Sequence, residues 1–97
     1  MKKKFVFNNR PVEVKAETYR NNNTLALTLN YEDGDRDVVT VNLNSLFQSD
    51  SMVFLDTNHY PDIERWIRQN GLGIAMNVSE RSGFCSYPLF SINLSAL

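Results

Sequence analysis

Cys85, His59 and Asp56 are the residues whose types together could run covalent chemistry, with a thiol as nucleophile, an imidazole as base and a carboxylate as orienter. A thiolate attacks well only when a neighbouring base or positive charge lowers its pKa, so that mechanism requires the three to meet in space. Arg81, close to Cys85 in the chain, is a second group able to activate the thiol. The simpler reading is preferred for each: Cys85 sits in a strand-like alternation as a small core hydrophobe, and His59 is an exposed loop residue or cap. Asp33, Asp35 and Asp37 alternate in the manner of a calcium loop, but counting from Asp35 puts Leu46 where the closing glutamate belongs. Asp-Gly is also ordinary hairpin-turn chemistry. A single His and a single Cys argue against a zinc site within one chain, so no metal and no cofactor is expected.

Two polar clusters are least explained by core packing: Asn21, Asn22 and Asn23, and Asp56 with Thr57 and Asn58. Turn and capping chemistry is the preferred account of both. The alternative is a recognition surface, because an Asn side chain offers donor and acceptor together and Tyr60, Tyr19 and Tyr87 could add aromatic anchors. That alternative requires the two clusters to converge at one end of the sheet.

The elements that must position these groups follow from periodicity. Phe5 and Phe7, then Val12, Val14 and Ala16, alternate about an Asn8-Asn9 turn, which predicts a hairpin with both apolar sets on one side. Leu25, Leu27, Leu29 and Tyr31 alternate before a Glu32–Arg36 turn, and Val39, Val41 and Leu43 alternate after it. An even loop would split these sets across the sheet, so an odd loop over Asp33–Asp35 is expected, pairing Leu29 with Val39, Leu27 with Val41 and Leu25 with Leu43. Met52–Leu55 reads as a short buried strand. A helix is expected over about 61–70, with Pro61 at its first position, Ile63, Trp66 and Ile67 on one face, and Gly71 as the C-cap glycine. Ile74, Met76 and Val78 should alternate inward and return through an Glu80–Gly83 turn, pairing Val78 with Cys85, Met76 with Tyr87 and Ile74 with Leu89. Because Phe90, Ile92 and Leu94 take the other parity, a bulge is expected near Pro88. The fold class is α+β: a single domain over 1–97, an antiparallel sheet of about six or seven strands with one helix on one face.

Ninety-seven residues with 42% hydrophobic, 11% aromatic and 22% charged content suit one folded domain with one core. Charge is uneven, +4 over residues 1–20, -7 over 21–64 and +2 over 65–97, which sums to the net -1. Without an overall basic excess, nucleic-acid binding is not favoured, although the basic amino terminus with Arg65, Arg68 and Arg81 would serve it if they formed one face. A lone cysteine fits a reducing compartment, the apolar run after Lys2, Lys3 and Lys4 is too short for an export signal, and no window approaches a membrane span. A cytoplasmic protein, monomeric or a small homo-oligomer, is expected. The lysines at the start would also guard an exposed edge strand against pairing.

Four stretches carry a family likeness: Tyr19-Arg20-Asn21-Asn22-Asn23-Thr24-Leu25-Ala26-Leu27, Val41-Asn42-Leu43, Asp56-Thr57-Asn58-His59-Tyr60-Pro61 through Asn70-Gly71-Leu72-Gly73, and Ser82-Gly83-Phe84-Cys85-Ser86-Tyr87-Pro88-Leu89-Phe90. Together they resemble a domain-of-unknown-function family of small proteins from gut bacteria, clostridia and Bacteroides relatives among them, often associated with plasmids and conjugative elements. The resemblance implies provenance and brings no catalytic residues with it. It also implies a small polar residue where His59 stands, which counts against a histidine-dependent mechanism. The functional expectation is a small non-enzymatic accessory protein that binds a protein partner, with a Cys85-dependent enzyme or thiol sensor as the alternative and a nucleic-acid module third.

Overall fold

The computed structural model describes residues 4–97; Lys2 and Lys3, expected to guard an edge, lie outside them. β1 (Phe5–Phe7) and β2 (Arg10–Thr18) are joined by Asn8 and Asn9 alone. Both adopt the left-handed region, at φ 50° and 63°, as a type I′ turn requires and as Asn tolerates. Phe5 therefore pairs with Val12, the expected parity, and Lys4 just ahead of the strand pairs with Glu32 at 3.0 Å.

β3 (Leu25–Tyr31) pairs with β2 along its length and with β4 (Arg36–Val38) on the other side. The loop between β3 and β4 is odd, as expected, but it spans Glu32–Gly34, so Leu29 faces Asp37 and Asn30 faces Arg36. The Leu29–Val39 pair does not form. Glycine decides this: Gly34 takes the left-handed position at φ 95° that ends such a loop, a position the expected register would have given to Asp35. Asp33 Oδ1 accepts from the Asp35 amide at 3.0 Å and locks the turn.

After Val38 the chain changes sheets. Val39 still donates to the Leu27 carbonyl, but its own carbonyl accepts from Asp56, and β5 (Thr40–Val41) pairs with β6 (Met52–Leu55). The expected Leu27–Val41 and Leu25–Leu43 pairs are thus replaced, and the Leu25 amide bonds to Ser49 instead. The helix α1 runs Ile63–Gln69, shorter than 61–70, with Pro61 left in the preceding turn. It ends in a Schellman arrangement: Leu72 donates to Ile67 and Gly71 to Arg68, with Gly71 at φ 67°.

β7 (Gly73–Ser82) and β8 (Cys85–Ile92) are joined by Gly83 and Phe84, not by a Glu80–Gly83 turn, because Ser82 pairs directly with Cys85. The register irregularity falls on β7 between Ala75 and Ser79, opposite Leu89, and not on β8 near Pro88. Asn77 absorbs it at φ 58°. A short 3₁₀ turn, Leu94–Ala96, follows.

The class is α+β, with eight strands among the described residues in place of six or seven, divided into two four-stranded antiparallel sheets ordered β1-β2-β3-β4 and β5-β6-β8-β7. The main core lies between them. Phe7, Val12, Val14, Leu27 and Leu29 from the first sheet meet Val53, Leu55, Phe90 and Ile92 from the second. The sheets join where β4 runs into β5, and α1 packs between the opposite edges: Ile63 and Ile67 enter the core and the Trp66 indole donates to the Val6 carbonyl at 2.6 Å. Gly73 lets β7 approach the helix, since a Cβ there would come 2.7 Å from the Ser91 carbonyl oxygen and 3.2 Å from Ile67.

A second cluster lies on the outer face of the second sheet. Phe54, Tyr87 and Leu89 are buried there among half-buried Val41, Leu43, Met52, Met76 and Cys85. Ile74, Met76 and Cys85 do share a face with Tyr87 and Leu89, but it is this outer face; Ile74 is 66% exposed and Val78 37%. Leu89 and Phe90 are both buried because the strand is covered on both sides, which is why β8 needs no re-phasing.

Candidate functional site

Asp56 directly follows β6, where its amide is tied to the Val39 carbonyl, so its side chain is held in the turn that leads towards α1. The carboxylate is buried. Oδ1 accepts from the His59 amide at 3.2 Å, and Oδ2 lies 2.9 Å from His59 Nδ1. The Asp56 carbonyl accepts from Tyr60, closing the turn. His59 is largely exposed, its side chain 71% accessible. Two of the three residues of that set therefore meet, but within a local turn in which the carboxylate accepts from the backbone amide three residues on.

Cys85 is on the outer face of the second sheet at the hairpin end, half-buried. Its side-chain partner is the Tyr87 hydroxyl, whose pKa is raised by the Cys85 thiol foremost, then by burial and by Asp56. Among the described residues no hydrogen bond joins Cys85 to His59 or Asp56. An acid–base–nucleophile relay is not assembled in this arrangement.

The tyrosines surround the same region. Tyr19 shares a 2.6 Å hydrogen bond with Thr40, and burial, ahead of the opposing Thr40 bond and of Asp56, raises its phenol. Tyr31 donates to Asp37 at 2.7 Å; burial first, then that carboxylate, pushes it up to about 12. Tyr60 is raised by burial, then by Asp37 and Asp56. Arg10 stacks 3.9 Å over the Tyr31 ring and pairs with Asp33 and Asp35, so the acidic turn is neutralised within the fold. Among the described residues, no group of three or more His, Cys, Asp or Glu side chains is placed to hold a metal ion.

Asn21, Asn22 and Asn23 form the β2–β3 turn, with Asn23 at φ 58° and its amide bonded to the Tyr19 carbonyl. Asn22 Nδ2 donates to Asn42 Oδ1 at 3.0 Å and Asn44 Oδ1 at 3.2 Å, while its Oδ1 accepts from Thr24. Asn42 donates back to Asn21 at 2.8 Å. The hub beneath is Gln48, a buried residue that sequence reasoning missed: Oε1 accepts from the Leu43 and Ser45 amides, and Nε2 donates to Thr24 and Asn42. The Asn cluster thus docks on Asn42 and Asn44, whereas the Asp56 turn is anchored at Val39. Asn58 and His59 are exposed, and no hydrogen bond between the two clusters occurs among the described residues.

This network shapes the segment 42–51 into a strap. Beyond Gln48's grip on Leu43 and Ser45, Ser45 Oγ donates to Glu80 on β7 at 3.2 Å, carrying the strap from the β5 edge towards the opposite edge of the second sheet. Leu46 protrudes, fully exposed, and Phe47 is 54% exposed. At the tip of the β7–β8 hairpin, beyond Glu80, Phe84 is also fully exposed. Nothing in the sequence distinguished these apolar side chains from core members.

The fold and these contacts define a small two-sheet α+β domain whose polar clusters are turned inward on its own backbone and whose two most exposed apolar side chains, Leu46 and Phe84, stand on the strap and the hairpin tip of the second sheet. The chain belongs to the family described as Domain of unknown function (DUF4313), whose model matches residues 13–97. No curated protein and no solved structure matches the chain. No helix of the described residues is long and apolar enough to cross a membrane.

Proposed function

We propose that this protein is a non-enzymatic accessory protein that docks another protein on the outer face of its second sheet. The observation that carries the reading is the set of exposed apolar side chains on the strap and hairpin tip, Leu46, Phe47 and Phe84, beside the half-buried Met52, Met76 and Cys85. Single exposed apolar residues are ordinary, but several flanking one apolar sheet face mark an interaction surface. The reading moves the binding surface away from Asn21, Asn22, Asn23, Asp56, Asn58 and Tyr60: the Asn21, Asn22 and Asp56 side chains are bonded to the molecule's own loops, and Tyr60 packs against the core. Cytoplasmic location, which rests on the lone cysteine, and service to a mobile element, which rests on the family likeness, belong to this proposal.

The test is retention of proteins from a host lysate by the wild-type chain and by the double variant Leu46→Ser/Phe84→Ser. Both side chains are in solvent, so folding should be unchanged by circular dichroism, while retention of the wild-type partners should fall at least about tenfold. Equal retention by both proteins refutes the face, and turnover of a metabolite by a chain that retains nothing refutes the reading.

A further inference from the structure

We infer that the occupant of this outer face is a second copy of the same chain, packed about a two-fold axis; the inference rests on the docking reading above and names its partner. Leu46 and Phe84 are each 103% exposed, Ile74 66%, Phe47 54% and Val78 37%. At roughly 150–250 Å² for a large apolar or aromatic side chain, these present about 600 Å² per copy. Two such faces bury roughly 1,200 Å², the lower end of a specific interface and more than a small ligand would cover.

Two features favour a like copy over an unlike partner. An isologous interface needs protruding and receiving groups on one surface, because residue i of each copy meets residue j of the other. This face has both: the strap and hairpin tip project, and beside them Met52 and Met76, flexible side chains able to repack, are half-buried in one cluster with Phe54 and Leu89. Charge does not oppose the pairing of two copies either. Glu80, on this face beside Tyr87, is already held by Ser45, Arg81 points to the opposite face of β7, and the net charge of -1 leaves little repulsion between copies. A partner of strong single-sign charge would call for a rim of the opposite sign.

Sedimentation equilibrium of the purified chain, from micromolar to submillimolar concentration, tests this. The expected result is a reversible monomer–dimer equilibrium in the micromolar range. Leu46→Ser/Phe84→Ser should weaken it at least about 100-fold, because each anchor is lost from both copies. Arg81→Glu, whose side chain lies on the opposite face of β7, should leave it unchanged, and loss of the dimer in this variant would overturn the inference by placing the contact on that other face. Cys85, on the same face, should react with a thiol reagent more slowly at dimer-forming concentration in the wild type and at one rate in the double variant. A wild type that stays monomeric throughout overturns the inference and leaves docking of another protein to be judged by lysate retention. A double variant that dimerises as well as wild type overturns it too, by placing the contact elsewhere.

Discussion

The two faces of the second sheet are built from the same few strands and the same kinds of side chain, yet they are closed in different ways. Val53, Leu55, Phe90 and Ile92 face a complete second layer, the first sheet and α1. Phe54, Tyr87 and Leu89, one residue out of phase, are covered by a ring of half-buried neighbours and by a strap held through Gln48 and the Ser45–Glu80 bond. The difference teaches that burial of a residue and completion of a layer are separate matters: Phe54 is fully buried on a face that is still unfinished at its rim.

The comparison implies a graded response to truncation. Phe90→Ala, on the inner face, should cost about 3–5 kcal/mol by chemical denaturation, whereas Met76→Ala, half-buried on the outer face, should cost about 1 kcal/mol. Equal losses would mean that both faces are equally closed. Gly73→Ala comes next, because its Cβ meets backbone that cannot move aside; about 1–3 kcal/mol should be lost. Gln48→Ala removes the acceptor of two strap amides and should cost about 2 kcal/mol while making Cys85 label faster, so a stable variant with unchanged labelling would separate the strap from the outer cluster.

The smallest effects belong to the tyrosine and turn region. Tyr31 is raised from 10.0 to about 12, so its neutral form is favoured in the fold. The stability this contributes is complete below pH 10 and is lost as pH rises towards 12. Ultraviolet titration of tyrosinate should therefore run later in the native chain than in denaturant, and Asp37→Asn should bring part of it earlier. Asn58→Ala should change stability by less than about 0.5 kcal/mol, while Asn22→Ala, which breaks bonds to both Asn42 and Asn44, should cost about 1 kcal/mol.

Much of the local structure was legible in the residues. Asn8-Asn9 specified its turn because few residues adopt two successive left-handed conformations, and Ile63, Ile67, Gly71 and Leu72 specified a helix and its end through spacing and a single glycine. The odd β3–β4 loop was legible from parity, but its register was not, because two odd loops differ by two residues and leave the same face apolar. The His59–Asp56 contact was legible as a pair, since it is local; the separation of Cys85 from that pair was not, because it depends on where β8 runs relative to β6. Gln48 gave no signal at all, since its type names no partner: three of its four bonds fall within 42–45 and the fourth reaches Thr24, which only the fold brings beside it.

The residues by themselves determined the turns, the helix, the alternation of each strand and the α+β class, all of which arise from backbone conformations and periods that a short stretch carries within itself. Only the tertiary structure decided that the strand after Val38 leaves the first sheet, that Ile74 and Met76 serve the outer face, and that Leu46 and Phe84 stand in solvent. The physical reason is symmetry: an alternating strand states which side chains share a face, but which face meets the other layer depends on segments far away in the chain.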